Sequence, residues 1–431
     1  MGVFPNLAQR MNNPDPVRID GTVAAGFEPV AEAFERTMHS LSEDNAQLCV
    51  YVGDDCVVDL VGSAEGDEDF NADSLVNVFS SGKSLEAIAL ASLKGKGLLS
   101  YDTKVADYWP EFGQAGKENI TVADLMRHEA GLAAFNQSLA PEDLLTENIK
   151  QNRVGSVIEG HPPTFREGEE QQREYHAITR GWIVNELFRR VDPEGRTIGE
   201  YLRHELCPSL AADVYVGVPD DLMARVKSYS AISPGRHFRE SLKPRFMGRQ
   251  VRDNAFTLSR KILPMLPRLR RSTTAGAPPP FVGMTSTDVF NDPAIAQGET
   301  PSANTHASAR GLARIAAMMA GKGTFAGQSH MDEATWHALH DAPVRRDMGL
   351  HTTFTQGGVA RFDESGASRM ERAANWGREG YYGWMGFGGS VFQWHPQKRI
   401  GFSFVPTRLH IMDFVNERAK VYQAVAARCA G

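Results

Sequence analysis

Cysteine, excess positive charge and long apolar runs are scarce in this chain of 431 residues. Its four cysteines form no Cys-x-x-Cys pair and no zinc-like spacing, so free thiols are expected rather than a disulfide framework. A net charge of −7 disfavours nucleic acid as a partner. No apolar run is long enough to span a bilayer, and the N-terminus lacks a signal-peptide pattern. These absences predict a cytoplasmic protein without a transmembrane segment, and they leave the oligomeric state open.

Sequence signatures of metal and nucleotide chemistry are also missing. There is no His-Glu-x-x-His, no Gly-x-x-x-x-Gly-Lys, and no Gly-x-Gly-x-x-Gly between a strand and a helix. The Gly-x-Ser-x-Gly turn that carries the nucleophile in many hydrolases is absent as well. We therefore expect neither a metal nor a cofactor.

Segments typical of strands lie near both ends of the chain, whereas helical patterns fill the middle. Hairpins are predicted over residues 47–61 and 391–405, and helices over 24–40 and 413–428. One antiparallel sheet built from both ends and flanked by helices, with a mostly helical part between, is the economical arrangement. The predicted fold class is therefore α+β.

The expected boundaries follow from that arrangement. They are an N-terminal extension at 1–19 and one domain at 20–431, with an α/β part at about 20–100 and 305–431 and a helical part at about 101–304.

Residues 234–280 form an insertion in which basic residues far outnumber acidic ones. One interpretation is a lid over a cleft, or a patch that attracts anionic substrates or membrane surfaces. A solvated basic helix explains the composition equally well. The sequence leaves both interpretations open.

The spacing Ser80-x-x-Lys83 opens an apolar, Ala- and Leu-rich run that is long enough for about four helical turns. Positions i and i+3 share a helix face, so the two side chains can meet. A lysine kept neutral by burial can take the proton of a serine and make it nucleophilic. Because the tetrapeptide also occurs by chance, it needs supporting segments.

Two further segments can complete a site around Ser80. Tyr175 stands at the entry of a predicted helix, where a phenol near a lysine can ionise and shuttle a proton. Residues 383–390 are rich in glycine just before a predicted strand, so their backbone can approach a substrate and bind an oxyanion. His128, by contrast, follows a Thr-x-x-Asp capping pattern at a helix end and is expected to be a hydrogen-bonding scaffold.

The order of these segments, together with Thr-Val-Ala-Asp-Leu-Met-x-His-x-x-Gly-Leu at residues 121–132, resembles the serine β-lactamase superfamily. The resemblance is to its class C-like branch, which includes family VIII carboxylesterases, and it runs from about residue 24 to 428. It implies a β-lactamase/transpeptidase-like fold. It also implies that Ser80 is the acylated nucleophile, that Lys83 is the general base and that Tyr175 cooperates with it.

The same resemblance implies an oxyanion hole made by the backbone amides of Ser80 and Phe387. Trp384, Met385 and Gly386 then lie along the substrate, where β-lactamases carry Lys-Thr-Gly. Whether the serine proton goes to the lysine or to the tyrosine stays open at this point, because coupled groups titrate together.

Two departures from the β-lactamase pattern indicate a different substrate. Tyr175-His176-Ala177 replaces Tyr-x-Asn, so the amide that holds a β-lactam side chain is missing. Trp384 and Met385 replace the lysine and threonine that bind the antibiotic's carboxylate. The sequence therefore predicts a serine hydrolase that cleaves small carboxylic esters, with a small-molecule ester as its partner. An acyltransferase or lactonase, a β-lactamase, and a non-catalytic or filament-forming scaffold of the same fold are the alternatives.

Overall fold

The computed structural model describes residues 17–165, 172–263, 272–274, 276–348, 351–363, 366–413 and 415–431. Most of the expected N-terminal extension lies outside these residues. So does the part of the basic insertion at 264–271, together with residue 275.

Seventeen strands occur in the described residues. They are β1 (Arg18–Val23), β2 (Asn45–Val52), β3 (Asp55–Ser63), β4 (Leu75–Asn77), β5 (Val214–Tyr215), β6 (Val226–Lys227), β7 (Ser230–Ala231), β8 (His306–Ala307), β9 (Thr324–Phe325), β10 (Gln328–Ser329), β11 (Val344–Asp347), β12 (His351–Phe354), β13 (Ala360–Arg361), β14 (Tyr382–Met385), β15 (Val391–His395), β16 (Ile400–Pro406) and β17 (Arg408–Leu409).

Ten α-helices of seven or more residues occur in the same part of the chain. They are α1 (Glu28–Ser40), α2 (Lys83–Gly95), α3 (Arg153–Gly160), α4 (Thr179–Val191), α5 (Pro234–Ser241), α6 (Ala255–Ile262), α7 (Ala309–Ala320), α8 (Glu333–His340), α9 (Arg369–Asn375) and α10 (Glu417–Cys429).

Shorter helical segments connect these elements. The short α-helices are Val105–Tyr108, Val122–Met126, Thr146–Lys150, Ile198–Tyr201, Cys207–Leu210 and Pro293–Gln297, and a π-helical turn covers Leu202–Leu206. The 3₁₀ helices are Phe79–Gly82, Pro110–Gly116, Pro141–Leu144, Asp220–Arg225, Arg245–Met247, Thr287–Asn291 and Phe387–Gly389.

A nine-stranded sheet joins the two ends of the chain. Its strand order is β1-β3-β2-β16-β15-β14-β13-β12-β11, and all neighbours are antiparallel. Both predicted hairpins are present as β2–β3 and β15–β16, and β16 pairs with β2. The predicted α+β class and β-lactamase/transpeptidase-like fold are therefore confirmed, whereas the division into two parts stays a prediction.

Alternation along the strands buries the sheet on both faces. On β2, Leu48 and Val50 belong to one hydrophobic cluster, which includes side chains of α1 and α10. Cys49 and Tyr51 belong to the other cluster, which includes side chains of α2, α7 and the helical middle of the chain. The apolar helix that follows Ser80 is thus buried between the sheet and the helical part.

Some boundaries differ from the sequence-based expectations. The first helix begins at Glu28 and the last at Glu417, each a few residues later than predicted. Strands β11 to β13 were not predicted, because residues 344–363 mix charged residues, Thr and Gly with few large apolar ones. The described part of the insertion contains α5 and α6. No helix in the described residues is long and apolar enough to cross a membrane.

Candidate active site

Ser80 lies in the 3₁₀ turn Phe79–Gly82, directly before α2. Ser80 was expected to belong to the α-helix, but it lies about one turn before it, since α2 begins at Lys83. Phe79 has φ +47°, a left-handed conformation that is strained for a residue with a side chain. Its amide donates a hydrogen bond to Asn77 Oδ1 at 2.8 Å, which supports the bend before the serine.

The Lys83 amine lies between one hydroxyl and two backbone carbonyls. Its Nζ is 3.2 Å from Ser80 Oγ, 2.6 Å from the carbonyl of Ala177 and 3.0 Å from the carbonyl of Ser302. Carbonyls only accept hydrogen bonds, so the two N–H groups of a neutral amine are taken by them. A neutral amine that donates to both carbonyls would present its lone pair to Ser80 Oγ, as a general base requires.

Burial supplies the neutral amine. Lys83 is 2% exposed, and loss of water lowers its pKa well below the ordinary value. The carboxylate of Glu86 opposes this shift and the guanidinium of Arg180 adds to it. The balance favours an uncharged lysine next to the serine.

The Tyr175 hydroxyl lies beside the same pair. It accepts a hydrogen bond from Trp384 Nε1 at 2.9 Å, and Lys83 Nζ is 4.9 Å from the centre of its ring. Burial raises the pKa of the phenol to about 12, although side-chain hydrogen bonds with Ser80 and Trp384 act in the opposite direction. The sequence-based idea of an ionised phenol is therefore disfavoured. Geometry and electrostatics both favour Lys83 over Tyr175 as the base.

The backbone around Phe387 is tied to the turn that carries Ser80. Ser390 Oγ donates to the carbonyl of Val78 at 2.7 Å, and the Gly386 amide donates to the carbonyl of Ser390 at 2.8 Å. A Cβ on Gly386 would lie 2.0 Å from Ser390 Oγ, so only glycine allows this close approach. Ser80 and Phe387 border the same cavity, which agrees with the proposed pair of oxyanion-binding amides.

A buried ion pair holds the backbone of Lys83 in place. Arg180 Nε donates to Glu86 Oε2 at 2.9 Å, and another nitrogen of the same guanidinium donates to the Lys83 carbonyl at 2.9 Å. Both charged side chains are fully buried. Sequence analysis missed this pair, yet a carboxylate inside the apolar run after Ser80 was a signal that a buried partner was needed.

His128 packs against Tyr175 and holds the backbone of the next residue. Its side chain is buried, and its ring centre is 4.9 Å from that of Tyr175. Its Nδ1 accepts a hydrogen bond from the amide of His176 at 3.1 Å, and its own backbone has φ +65°. Burial lowers its pKa well below the ordinary value, so the ring is neutral. These contacts agree with a scaffold role for His128.

The sequence profile of the Beta-lactamase family matches residues 30–427. The chain belongs to the Beta-lactamase family. A curated member of similar sequence is Esterase/beta-lactamase LipL of Mycobacterium tuberculosis (strain ATCC 25618 / H37Rv), which is 32% identical over 206 residues. That match covers 47% of this chain and 46% of LipL, so the chain spans about half the length of this relative.

Solved structures show the same architecture over nearly the whole chain. A penicillin-binding protein homologue from Caulobacter crescentus is 25% identical with a TM-score of 0.73, and covers 96% of this chain and 100% of its own. A family VIII carboxylesterase has a TM-score of 0.75 at 23% identity, with the same coverage of 96% and 100%. The carboxylesterase is too distant in sequence to show more than the fold.

The positions that depart from the β-lactamase pattern are occupied by an aromatic cluster. The ring of Trp384 lies 5.2 Å from that of Phe354, 6.0 Å from that of Tyr175 and 6.4 Å from that of Phe362. Trp384 and Met385 are half-buried on β14 and line the cavity. This wall of a Beta-lactamase family site is therefore apolar, apart from the indole N–H that reaches Tyr175.

The cavity that contains Ser80 has a volume of about 1210 Å³. Ser80, Tyr175 and the strand end at Trp384 line one part of it. The described part of the insertion lines another, through Arg245, Arg249, Arg252, Asp253, Asn254, Thr257, Arg260 and Lys261. The third motif thus carries no cation, as its sequence Trp384-Met385-Gly386 indicates, whereas the insertion brings five Arg and Lys residues and one Asp to the same cavity. No cluster of His, Cys, Asp and Glu suited to a metal ion occurs in the described ranges.

Proposed function

We propose that this member of the Beta-lactamase family hydrolyses small carboxylic esters through an acyl-serine intermediate. The observation that carries the proposal is the position of Lys83 Nζ, 3.2 Å from Ser80 Oγ, with two carbonyls accepting its N–H groups. This arrangement gives the serine a neutral base without a histidine or a metal ion as partner.

The reaction has two balanced halves. Ser80 Oγ attacks the ester carbonyl while its proton passes to Lys83, and the amides of Ser80 and Phe387 stabilise the oxyanion. The bond from the carbonyl carbon to the alcohol oxygen then breaks, and the proton returns to the leaving alcohol, assisted by the Tyr175 hydroxyl. Water attacks the acyl-serine by the same route, which releases the acid and restores the serine.

The apolar wall supports an ester rather than a β-lactam substrate. Ala177 has no side-chain amide, and its carbonyl is already used by Lys83. Trp384 and Met385 supply neither the ammonium nor the hydroxyl that a β-lactam carboxylate requires. A neutral acyl group next to Ser80 fits this lining better.

The direct test compares the wild type with Ser80→Ala on p-nitrophenyl butyrate. We expect wild-type turnover and an acyl adduct on Ser80 by intact mass, and neither in the variant. Ser84→Ala is the matched control, because this buried hydroxyl of α2 has no hydrogen-bond partner and its loss should leave turnover unchanged. A wild type without burst or turnover would sink the proposal and favour a non-catalytic scaffold.

The similarity to a protein named Esterase/beta-lactamase makes a β-lactamase the second candidate. Nitrocefin turnover as efficient as ester turnover would favour that function and contradict the argument from Trp384. Transfer of the acyl group to an added alcohol, faster than hydrolysis, would instead identify an acyltransferase.

A further inference from the structure

Residues 234–263 of the insertion expose an unusual number of apolar side chains; we call this surface the insertion face. Nine large apolar residues are exposed in the described part of the chain, and six of them belong to it. They are between 53% and 89% exposed: Phe238, Leu242, Phe246, Met247, Phe256 and Leu263. Single exposed apolar residues are ordinary, but a cluster of this kind marks an interaction surface.

Helix α5 of the insertion face has the opposite burial pattern from an ordinary surface helix. It buries His237, Glu240 and Ser241, whereas Phe238 and the residue after the helix, Leu242, are exposed. A surface helix normally buries its apolar residues and exposes its polar ones. The reversed arrangement leaves an apolar helix face without a partner in the described structure.

Basic residues surround these apolar side chains. The insertion face contains eight Arg and Lys residues and only two acidic ones, in a chain whose net charge is −7. Both acidic side chains are engaged within the face, Glu240 with Lys243 at 2.7 Å and Asp253 with Lys261 at 2.8 Å. The exposed guanidinium groups of Arg239, Arg245 and Arg260 therefore give it an excess positive charge.

The insertion face adjoins the cavity that contains Ser80. Arg245, Arg249, Arg252 and Arg260 line that cavity together with the nucleophile. Phe387, which is 39% exposed, adds an apolar ring to the same lining. A surface bound to the insertion face consequently lies next to the cavity of the proposed active site.

We propose that the insertion face docks onto an anionic lipid surface and thereby places the Ser80 cavity next to ester bonds in that surface. Docking itself requires only the insertion face, whereas the lipid-borne substrate rests on the proposed esterase function. Apolar side chains that insert among acyl chains, interleaved with cations that attract anionic head groups, are the two components of interfacial binding.

A second copy of the chain fits this surface less well. A two-fold symmetric contact would place the same basic patch against itself, and like charges facing each other oppose association. Nucleic acid would engage the cations and the rings of the three exposed phenylalanines. It would leave the aliphatic side chains of Leu242, Met247 and Leu263 in water, whereas acyl chains would cover them. Charge and the mixture of aliphatic and aromatic side chains together favour a lipid surface.

The test measures docking without turnover. The full chain carrying Ser80→Ala is sedimented with sucrose-loaded vesicles of phosphatidylcholine, with or without phosphatidylglycerol. We expect at least about tenfold stronger partitioning onto the phosphatidylglycerol vesicles, decreasing with salt as screening grows. The double substitution Phe246→Ser with Met247→Ser removes two exposed apolar side chains and should weaken partitioning by about tenfold.

Matched variants separate the two components. Arg239→Gln with Arg245→Gln should lower partitioning by about tenfold and flatten its salt dependence. Val282→Ser, an exposed apolar residue outside the insertion face, should change nothing. If circular dichroism shows that the Phe246 variant is misfolded, Phe256→Ser takes its place.

Equal partitioning onto both vesicle types, or none, would overturn docking. So would self-association that depends on Phe246, which would identify a second copy as the occupant, or salt-sensitive binding of an oligonucleotide in place of vesicles. Because docking is measured with Ser80→Ala, its failure is distinguishable from failure of the esterase proposal, which is measured with a soluble ester.

Discussion

The region around Ser80 and the insertion face differ in the burial of their basic side chains. Lys83 is buried among two carbonyls and a hydroxyl, and its pKa is lowered. Arg239, Arg245 and Arg260 of the insertion face are exposed to water, and so are the apolar side chains of that face. Burial turns a lysine into a base, whereas exposure keeps an arginine as a long-range attractor. Substitutions at the two regions should therefore affect different measurements.

The largest effect is expected at Lys83. Lys83→Ala should lower kcat on p-nitrophenyl butyrate by about 10³-fold, because the serine loses its base. Lys117→Ala is the matched control: this lysine is buried, donates to three backbone carbonyls, and burial lowers its pKa to about 8. It should lower stability but leave kcat nearly unchanged. If Lys83→Ala and Lys117→Ala lower kcat equally, Lys83 has no catalytic role beyond that of a structural lysine.

Tyr175→Phe should have the next largest effect. We expect kcat to fall by about 10²-fold with little change in KM, because proton delivery to the leaving alcohol is lost. Tyr101→Phe is a suitable control, since its buried hydroxyl has no hydrogen-bond partner. An unchanged kcat in Tyr175→Phe would assign proton delivery to Lys83 alone.

The pH profile tests how burial acts on Lys83. Below its lowered pKa the amine is protonated and inactive, so kcat/KM should fall about tenfold per pH unit on the acid side and level off above it. Steady-state rates on the soluble ester between pH 4 and 10 provide the measurement. If kcat/KM instead still rises about tenfold per pH unit as the pH approaches 10, the amine has the ordinary lysine pKa of about 10.4 and is not desolvated in solution.

A smaller effect is expected where Ser390 joins the Phe387 backbone to the turn of Ser80. Ser390→Ala removes the hydrogen bond to the Val78 carbonyl and the contact with Ser81 Oγ at 3.1 Å. We expect kcat to fall by about five- to tenfold and stability to fall by about 1–2 kcal/mol. Thermal unfolding and steady-state kinetics on the same protein separate the two effects.

The smallest effect on soluble substrate is expected at the insertion face. Phe246→Ser with Met247→Ser should leave kcat on p-nitrophenyl butyrate within about twofold of the wild type, although vesicle partitioning falls. The comparison of the two regions breaks down if these exposed side chains prove to control turnover of a soluble ester.

Features that depend on neighbouring residues were predictable from the sequence. The hairpins β2–β3 and β15–β16 are marked by apolar runs around short turns. The capping box of Thr121 and Asp124 forms as its spacing predicts. The approach of Lys83 to Ser80 also needs only one helical turn, although the serine itself belongs to the preceding 3₁₀ segment.

Features that depend on distant parts of the chain were not predictable in the same way. The carbonyls of Ala177 and Ser302 next to Lys83 have no side-chain signature at all. The contact between Trp384 and Tyr175 joins residues that are 209 positions apart. The position of the insertion beside the cavity likewise follows from tertiary packing, so its composition alone left two interpretations open.

The pairing of β2 with β16 also has a consequence for the newborn chain on the ribosome. Ser81 and Ser390, whose hydroxyls meet beside the nucleophile, are separated by 309 positions. At about 5–20 residues per second, their synthesis is on the order of tens of seconds apart. Throughout that interval the serine has emerged, but the amide of Phe387 and the central sheet strands have not. During that interval the Ser80 hydroxyl is present without the Phe387 amide, and the edge of β2 stays unpaired until β16 has been synthesised.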